Sequence, residues 1–185
     1  RAKLRSQVKE IPENVKKLAE KSKKSFRNAL GEFIGYLIYA RWIPEEGRRE
    51  TYIETVERYI NFMKENLGTK ISEEDSAELF QAILKQEVLP SMRLLWSAGP
   101  AARATNVAGY NCSYLAITEI RDFGEILYIS MCGTGVGFSV EEKAIQNLPQ
   151  INRQTWEMLQ THVIDDSKEG WADALILGLT TWFSG

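Results

Sequence analysis

The hydrophobic pattern changes its period at Pro90, and that break constrains the fold more than any other feature of the sequence. Before it, apolar residues recur at helical spacing. Tyr52, Val56, Tyr59, Ile60 and Met63 follow an i, i+4, i+7 pattern within residues 50–67, which predicts an amphipathic helix ended by Gly68. Ser72 and Asp75 form a capping box with aspartate in the glutamate position, and the helix they open buries Leu79, Phe80, Ile83 and Leu84. Residues 12–38 begin basic and turn apolar through Phe33, Ile34, Tyr36, Leu37 and Ile38, so a helix is expected there too, with Gly31 and Gly35 blurring its end. Residues 41–49, punctuated by Pro44 and Gly47, read as a turn-rich connector.

Beyond Pro90 the elements shorten. Gly99-Pro100 opens a small-residue loop, and residues 110–117 read as a buried strand rich in aromatic and branched side chains. Thr118 is the expected cap of a helix carrying Phe123, Ile126, Leu127 and Met131. Gly133-x-Gly135-x-Gly137 leads into a second strand, 136–140. Residues 141–164 read as irregular, and Asp166 with Glu169 starts a last helix bearing Trp171, Leu175, Leu179 and Trp182. Strand, helix and strand in this order predict the opening of an α/β sheet or barrel, too short to close on itself. The expected division is a helical domain over residues 1–90 and an α/β portion over 91–185.

Charge and composition narrow the function classes. Lys+Arg 23 against Asp+Glu 25 gives a net charge of −2, which argues against a globally basic nucleic-acid binder. Ten Lys/Arg nevertheless crowd residues 1–30, a local +7 that reads as a solvated basic face or, less simply, an anion-binding stretch. No apolar run reaches the roughly 18 residues of a membrane span, and no secretory signal is visible, so a cytoplasmic protein with reduced thiols is expected. Cys112, Cys132 and the single His162 lack metal-site spacing.

Several residues leave a structural and a functional reading open. Cys112, inside the expected strand, is either inert packing or a redox or nucleophilic thiol facing a pocket. The three glycines are either a tight turn or a place where a ligand approaches backbone; their spacing and position disfavour a dinucleotide fingerprint. Arg41, Arg48 and Arg49 around Trp42 could hold phosphates or carboxylates, or form a surface turn whose Arg49 pairs with helix carboxylates. Ser91 suits a phosphate or a helix cap equally.

Five blocks in this order carry a resemblance: Tyr39-Ala40-Arg41-Trp42-Ile43-Pro44-Glu45-Glu46-Gly47-Arg48-Arg49-Glu50; Pro90-Ser91-Met92-Arg93-Leu94-Leu95-Trp96-Ser97-Ala98-Gly99; Tyr110-Asn111-Cys112-Ser113; Met131-Cys132-Gly133-Thr134-Gly135-Val136-Gly137-Phe138-Ser139-Val140; and Asp165-Asp166-Ser167-Lys168-Glu169-Gly170-Trp171. Together they resemble the N-terminal portion of adenosylcobalamin-dependent (class II) ribonucleotide reductase, in its monomeric, triphosphate-reducing branch. The resemblance runs from about residue 36 onward. It implies a helical N-terminal domain followed by the first strands and helices of a ten-stranded α/β barrel, incomplete in this chain.

The reaction it implies replaces the ribose 2′-hydroxyl with hydrogen by thiyl-radical chemistry, for DNA synthesis. Carried over residue by residue, Cys112 matches one of two reducing cysteines, pairing as a disulfide with a cysteine beyond Gly185. Asn111 sits at a ribose contact, Ser91 at a substrate-phosphate contact, and Gly133, Gly135 and Gly137 line the substrate cavity. Cys132 receives no role. Residues 141–170 fall where the monomeric branch carries an effector-binding insertion; the segment here is much shorter, leaving dimer contacts as the alternative. The implied cofactor is adenosylcobalamin, bound outside this chain, with Mg2+ accompanying nucleotide phosphates. The implied partners are a ribonucleotide substrate, a deoxynucleotide effector, a thioredoxin-type reductant and the remainder of the reductase polypeptide, with neither membrane nor nucleic acid among them. Alone, the chain is expected to be inactive. Three alternatives stay open: a non-catalytic nucleotide-binding or assembly module, one chain of a split reductase, and a reductase whose radical source is a metal-bearing partner subunit.

Overall fold

The computed structural model describes residues 11–185, so part of the basic stretch (residues 1–10) lies outside the described residues. The chain divides into two compact units, the first ending at Ala104 and the second spanning Thr105–Gly185.

The first unit is helical. Helix α1 (Glu13–Lys23) is followed by α2 (Ala29–Ile34), whose last turn widens into a π-helical turn, Gly35–Tyr39. Two helices therefore stand where one was expected. The chain breaks at residues 24–28 because the Asn28 side chain accepts from the Gly31 N–H and caps a new helix. The expected connector contains a minimal antiparallel hairpin, β1 (Trp42–Ile43) against β2 (Arg48–Arg49).

Helix α3 (Tyr52–Leu67) opens on a capping box between Thr51 and Glu54, and α4 (Glu73–Leu84) on the expected one between Ser72 and Asp75. The two pack through Tyr52, Val56, Ile60 and Ile83, with Phe26, Tyr59, Phe80 and Leu84 closing over them. Leu79, expected inside, is 40% exposed.

Short helices α5 (Met92–Ser97) and α6 (Pro100–Ala104) follow. They belong with the helical unit rather than with what comes after it. Ala98 and Ala102 bury against Phe62, with Tyr59, Met63 and Leu94 around them, so the physical division falls fourteen residues beyond Pro90.

Tyr52 is buried, and its hydroxyl donates to the Ile83 carbonyl at 2.9 Å. Burial, reinforced by Tyr39, pushes its pKa from 10.0 up to about 12. The unfolded chain ionises this phenol near pH 10 while the native protein holds the proton. The contribution is therefore complete below pH 10 and is lost as pH rises toward 12. Tyr52→Phe is expected to cost about 1 kcal/mol at pH 7. It should also flatten the alkaline loss of stability between pH 10 and 12, which urea unfolding of both proteins at pH 8 and pH 11 measures.

The second unit is a strand–helix–strand layer with a further helix. Strand β3 (Cys112–Ala116) leads into α7 (Ile120–Met131) and then β4 (Gly135–Ser139), which lies parallel to β3. This is the expected α/β opening, realised as a two-stranded parallel sheet. The cap of α7 is Glu119 rather than Thr118. Buried Asp122 accepts from the Thr118 and Glu119 N–H groups and from the Thr118 hydroxyl at 2.6–3.0 Å. Burial alone would raise the Asp122 pKa, but these hydrogen bonds outweigh it and hold the carboxyl below its ordinary value.

Residues 141–164 are irregular except for one turn, α8 (Glu142–Ile145). The last helix, α9 (Lys168–Ser184), is capped by Ser167 rather than Asp166: its side chain accepts from the Gly170 N–H. Helix α9 crosses α7 at Gly124, where an added Cβ would come within 2.4 Å of Ile176 Cδ1 and 3.2 Å of the Ala172 carbonyl. Among the described residues, no helix is long and apolar enough to cross a membrane.

Candidate active site

The first two residues of β3 and the start of β4 are held together by backbone. The Gly135 N–H donates to the Asn111 carbonyl at 2.9 Å, and the register then pairs Cys112 with Gly135, Ser113 with Val136 and Tyr114 with Gly137. Paired residues of a parallel ladder share a face, with strands about 4.8 Å apart. One face therefore carries Cys112 and Tyr114 beside two glycines. All four are exposed, whereas Ser113, Leu115 and Val136 are half-buried.

Of the two readings left open for Cys112, the structure does not bear out the packed one. It is not a packed mid-strand residue; it opens the strand and its thiol is exposed. The buried thiol is Cys132, at the C-cap of α7, with Lys168 Nζ 3.5 Å from its sulfur.

The glycines divide into two kinds. Gly133 has φ +85, a left-handed conformation that ends α7 and that side-chain-bearing residues rarely adopt. Gly135 and Gly137 lie inside a strand, and an added Cβ would meet nothing closer than 3.6 and 3.7 Å. The fold therefore does not require glycine at either position, and glycine weakens a strand. What two bare positions achieve is an open floor beside the Cys112 sulfur, where a ligand can approach the backbone.

The floor is unsuited to phosphate. Neither Cys112–Ala116 nor Gly135–Ser139 includes a charged residue, and the turn at Gly133 follows the C-terminal, partially negative end of α7. An uncharged, hydroxyl-bearing group such as a sugar fits these surroundings better.

Ser91 belongs to the first unit, whereas Asn111, Cys112, Gly133, Gly135 and Gly137 belong to the second. Ser91 precedes α5, is exposed, and its hydroxyl makes no capping bond, so the cap reading does not describe it. The arginine cluster is committed internally. Arg48 donates to both oxygens of Glu54 at 2.7–2.8 Å and to Glu46 at 2.7 Å, which raises its pKa. Arg49 binds the Ala40 carbonyl, and Arg41 lies over the Trp96 ring. The helix carboxylate is thus paired by Arg48, not Arg49. His162 is exposed in the irregular segment.

Two groups escaped the sequence reading. Buried Thr134, between two glycines, anchors the turn into β4. Buried Glu50 pairs with Arg58 and organises the first unit.

Comparison with known proteins gives these features a context. The family model described as ribonucleotide reductase alpha domain matches residues 12–100. The adenosylcobalamin-dependent ribonucleoside-triphosphate reductase of Lactobacillus delbrueckii subsp. bulgaricus is 29% identical over 173 residues, covering 76% of this chain. Residues 12–100 thus belong to the ribonucleotide reductase alpha-domain family, and the chain as a whole is similar to these reductases. The like-named reductase of Levilactobacillus brevis is 30% identical over 76% of the chain. A probable adenosylcobalamin-dependent ribonucleoside-triphosphate reductase of Dictyostelium discoideum is 25% identical over 92%. The chain spans 23–27% of the length of these reductases. A crystal structure of a B12-dependent (class II) ribonucleotide reductase shares the fold, with a TM-score of 0.64 at 24% identity, over 88% of this chain and 31% of that one. The family model ends at residue 100, before Cys112, so the assignment of that thiol rests on its surroundings and on the resemblance of the motif around it.

Proposed function

We propose that this chain forms the substrate-facing front of an adenosylcobalamin-dependent ribonucleoside-triphosphate reductase, with β3 and β4 as the first two strands of a ten-stranded α/β barrel. The observation that carries this reading is the exposed Cys112 thiol beside the bare floor of Gly135 and Gly137. Asn111 adds a ribose contact, Ser91 a phosphate contact, and Gly133 the turn that brings the floor into place.

Cys112 and a second thiol outside this chain act as the reducing pair. The ribose C2′–O bond breaks and its oxygen leaves as water. A C2′–H bond forms, and the two sulfurs join as a disulfide, so the two electrons gained by the sugar are those lost by the thiols. A thioredoxin-type reductant reopens the disulfide, and a deoxynucleotide effector tunes the choice of substrate. A strand suits this task because it holds the sulfur more tightly than a loop would.

Adenosylcobalamin belongs elsewhere in the enzyme. The reductases that the chain matches are adenosylcobalamin-dependent by name, and the chain spans only about a quarter of their length.

The apolar surface of the second unit also supports further protein packing against it. Its buried apolar residues are Ala108, Ile117, Cys132 and Ala172, while Tyr110, Tyr114, Phe138, Val140, Trp156, Trp171 and Trp182 are each about half exposed or more. Both outer edges of a two-stranded sheet also require covering.

The test is protection of Cys112. A ribonucleoside triphosphate at ten times its Kd is expected to slow iodoacetamide alkylation of Cys112 about tenfold by simple occupancy. Peptide mass spectrometry of the complete polypeptide reads it; an unchanged rate at saturation overturns the assignment.

A further inference from the structure

The Thr134 hydroxyl is the most confined polar group near Cys112. The residue is 2% exposed, and Oγ1 lies 2.9 Å from both the Val107 and the Tyr110 carbonyls. Val107 belongs to the 3-10 turn Asn106–Gly109, and Tyr110 precedes Cys112 by two residues. Directly after Thr134, the Gly135 N–H donates to Asn111. The chain entering β3 is thus fastened to the chain entering β4 at Val107, Tyr110 and Asn111.

That fastening answers a problem the open floor creates. Register in a strand pair is ordinarily fixed by side chains packed across it. On the Cys112 face the partners are Gly135 and Gly137, which contribute none. A slip of one residue would carry Cys112 to the opposite face and bring Asn111 or Ser113 into its place. The positions kept bare for a ligand therefore cannot set the register from this face; Ser113 beside Val136 and Leu115 beside Phe138 contribute from the other, and the Thr134 hydroxyl adds a fixed point where both strands begin.

We propose that Thr134 is a positioning residue of the reductase, holding Cys112 in register beside Gly135 so that its sulfur meets the ribose. This rests on the reading of Cys112 as a reducing thiol. The role is in the chemistry and not in nucleotide affinity, because Thr134 is buried and presents nothing to the floor.

Thr134→Val keeps the shape and removes the hydroxyl; Thr134→Ser keeps the hydroxyl. In the complete reductase, Thr134→Val is expected to lower kcat about 10–100-fold, the scale of an ångström-level misplacement. KM for the ribonucleotide should stay within about twofold and the circular dichroism spectrum should not change. Thr134→Ser should recover kcat to within about threefold. The proposal is overturned by a Thr134→Val enzyme of normal kcat, by a KM that rises as kcat falls, or by a variant that does not fold, since the hydroxyl would then serve the fold alone. Cys112→Ser separates the two layers. If it is inactive while Thr134→Val turns over normally, only the positioning role falls. If it is fully active, the reading of Cys112 falls and takes the positioning role with it.

Discussion

Cys112→Ser in the complete reductase is expected to abolish multiple turnover while leaving nucleotide binding intact. A hydroxyl fills nearly the same volume at the head of β3, so the ladder from Cys112 to Ala116 against Gly135 to Ser139 should survive. What serine lacks is the ability to give up an electron and form a disulfide. The expected loss is on the order of a thousandfold or more, the size seen when a group that reacts directly with substrate is removed. Because the floor beside residue 112 is made of glycine backbone, ribonucleotide affinity should change by less than about threefold. Steady-state assays under reducing conditions, paired with equilibrium binding, check both halves. Full turnover would place the reducing thiols elsewhere. A matched loss of binding would make residue 112 a contact and not a reductant.

Much of the helical unit was legible because its signals are local. The α3 stripe and the Ser72–Asp75 box lie within a few residues of what they specify, and both are realised. The hairpin at Trp42–Ile43 and Arg48–Arg49 was not legible, since two-residue strands are too short to display a period. The position of the unit boundary depended on Ala98 and Ala102 packing on Phe62, a contact between residues nearly forty apart.

For the candidate site, the motifs name residues but carry no geometry. The run from Tyr110 to Ile117 is apolar enough to read as buried on both faces, as barrel strands are. In this chain Cys112 and Tyr114 are exposed, and only the register against Gly135 and Gly137 reveals which side is open. Thr134 gave no signal of its own. A threonine between glycines reads as part of a flexible turn until its hydroxyl is seen between two carbonyls.

The largest stability effect is expected at Arg58, whose partners are also scattered through the sequence. Its guanidinium donates to both oxygens of buried Glu50 at 2.8 and 3.2 Å, and to the carbonyls of Tyr39, Leu95 and Ala98 at 2.7–3.2 Å. One side chain on α3 thus satisfies the end of the π-helical turn and the end of α5. Glu50 in turn accepts from the Arg41 N–H and the Thr55 hydroxyl. Arg58→Ala leaves a buried carboxylate without its cation and three carbonyls without this donor. The expected cost is about 3–5 kcal/mol, a fall in Tm on the order of 20 °C for a unit of this size. Glu50→Gln should cost less, because the amide oxygen can still accept from Arg41 and Thr55. The control is Arg103, which grips Glu65 with comparable geometry but with both side chains about half exposed. Solvent screens that pair, and Arg103→Ala is expected to cost less than about 1 kcal/mol. Thermal unfolding of the three variants decides it: equal losses at Arg58 and Arg103 would mean that burial, not geometry alone, has been given too much weight.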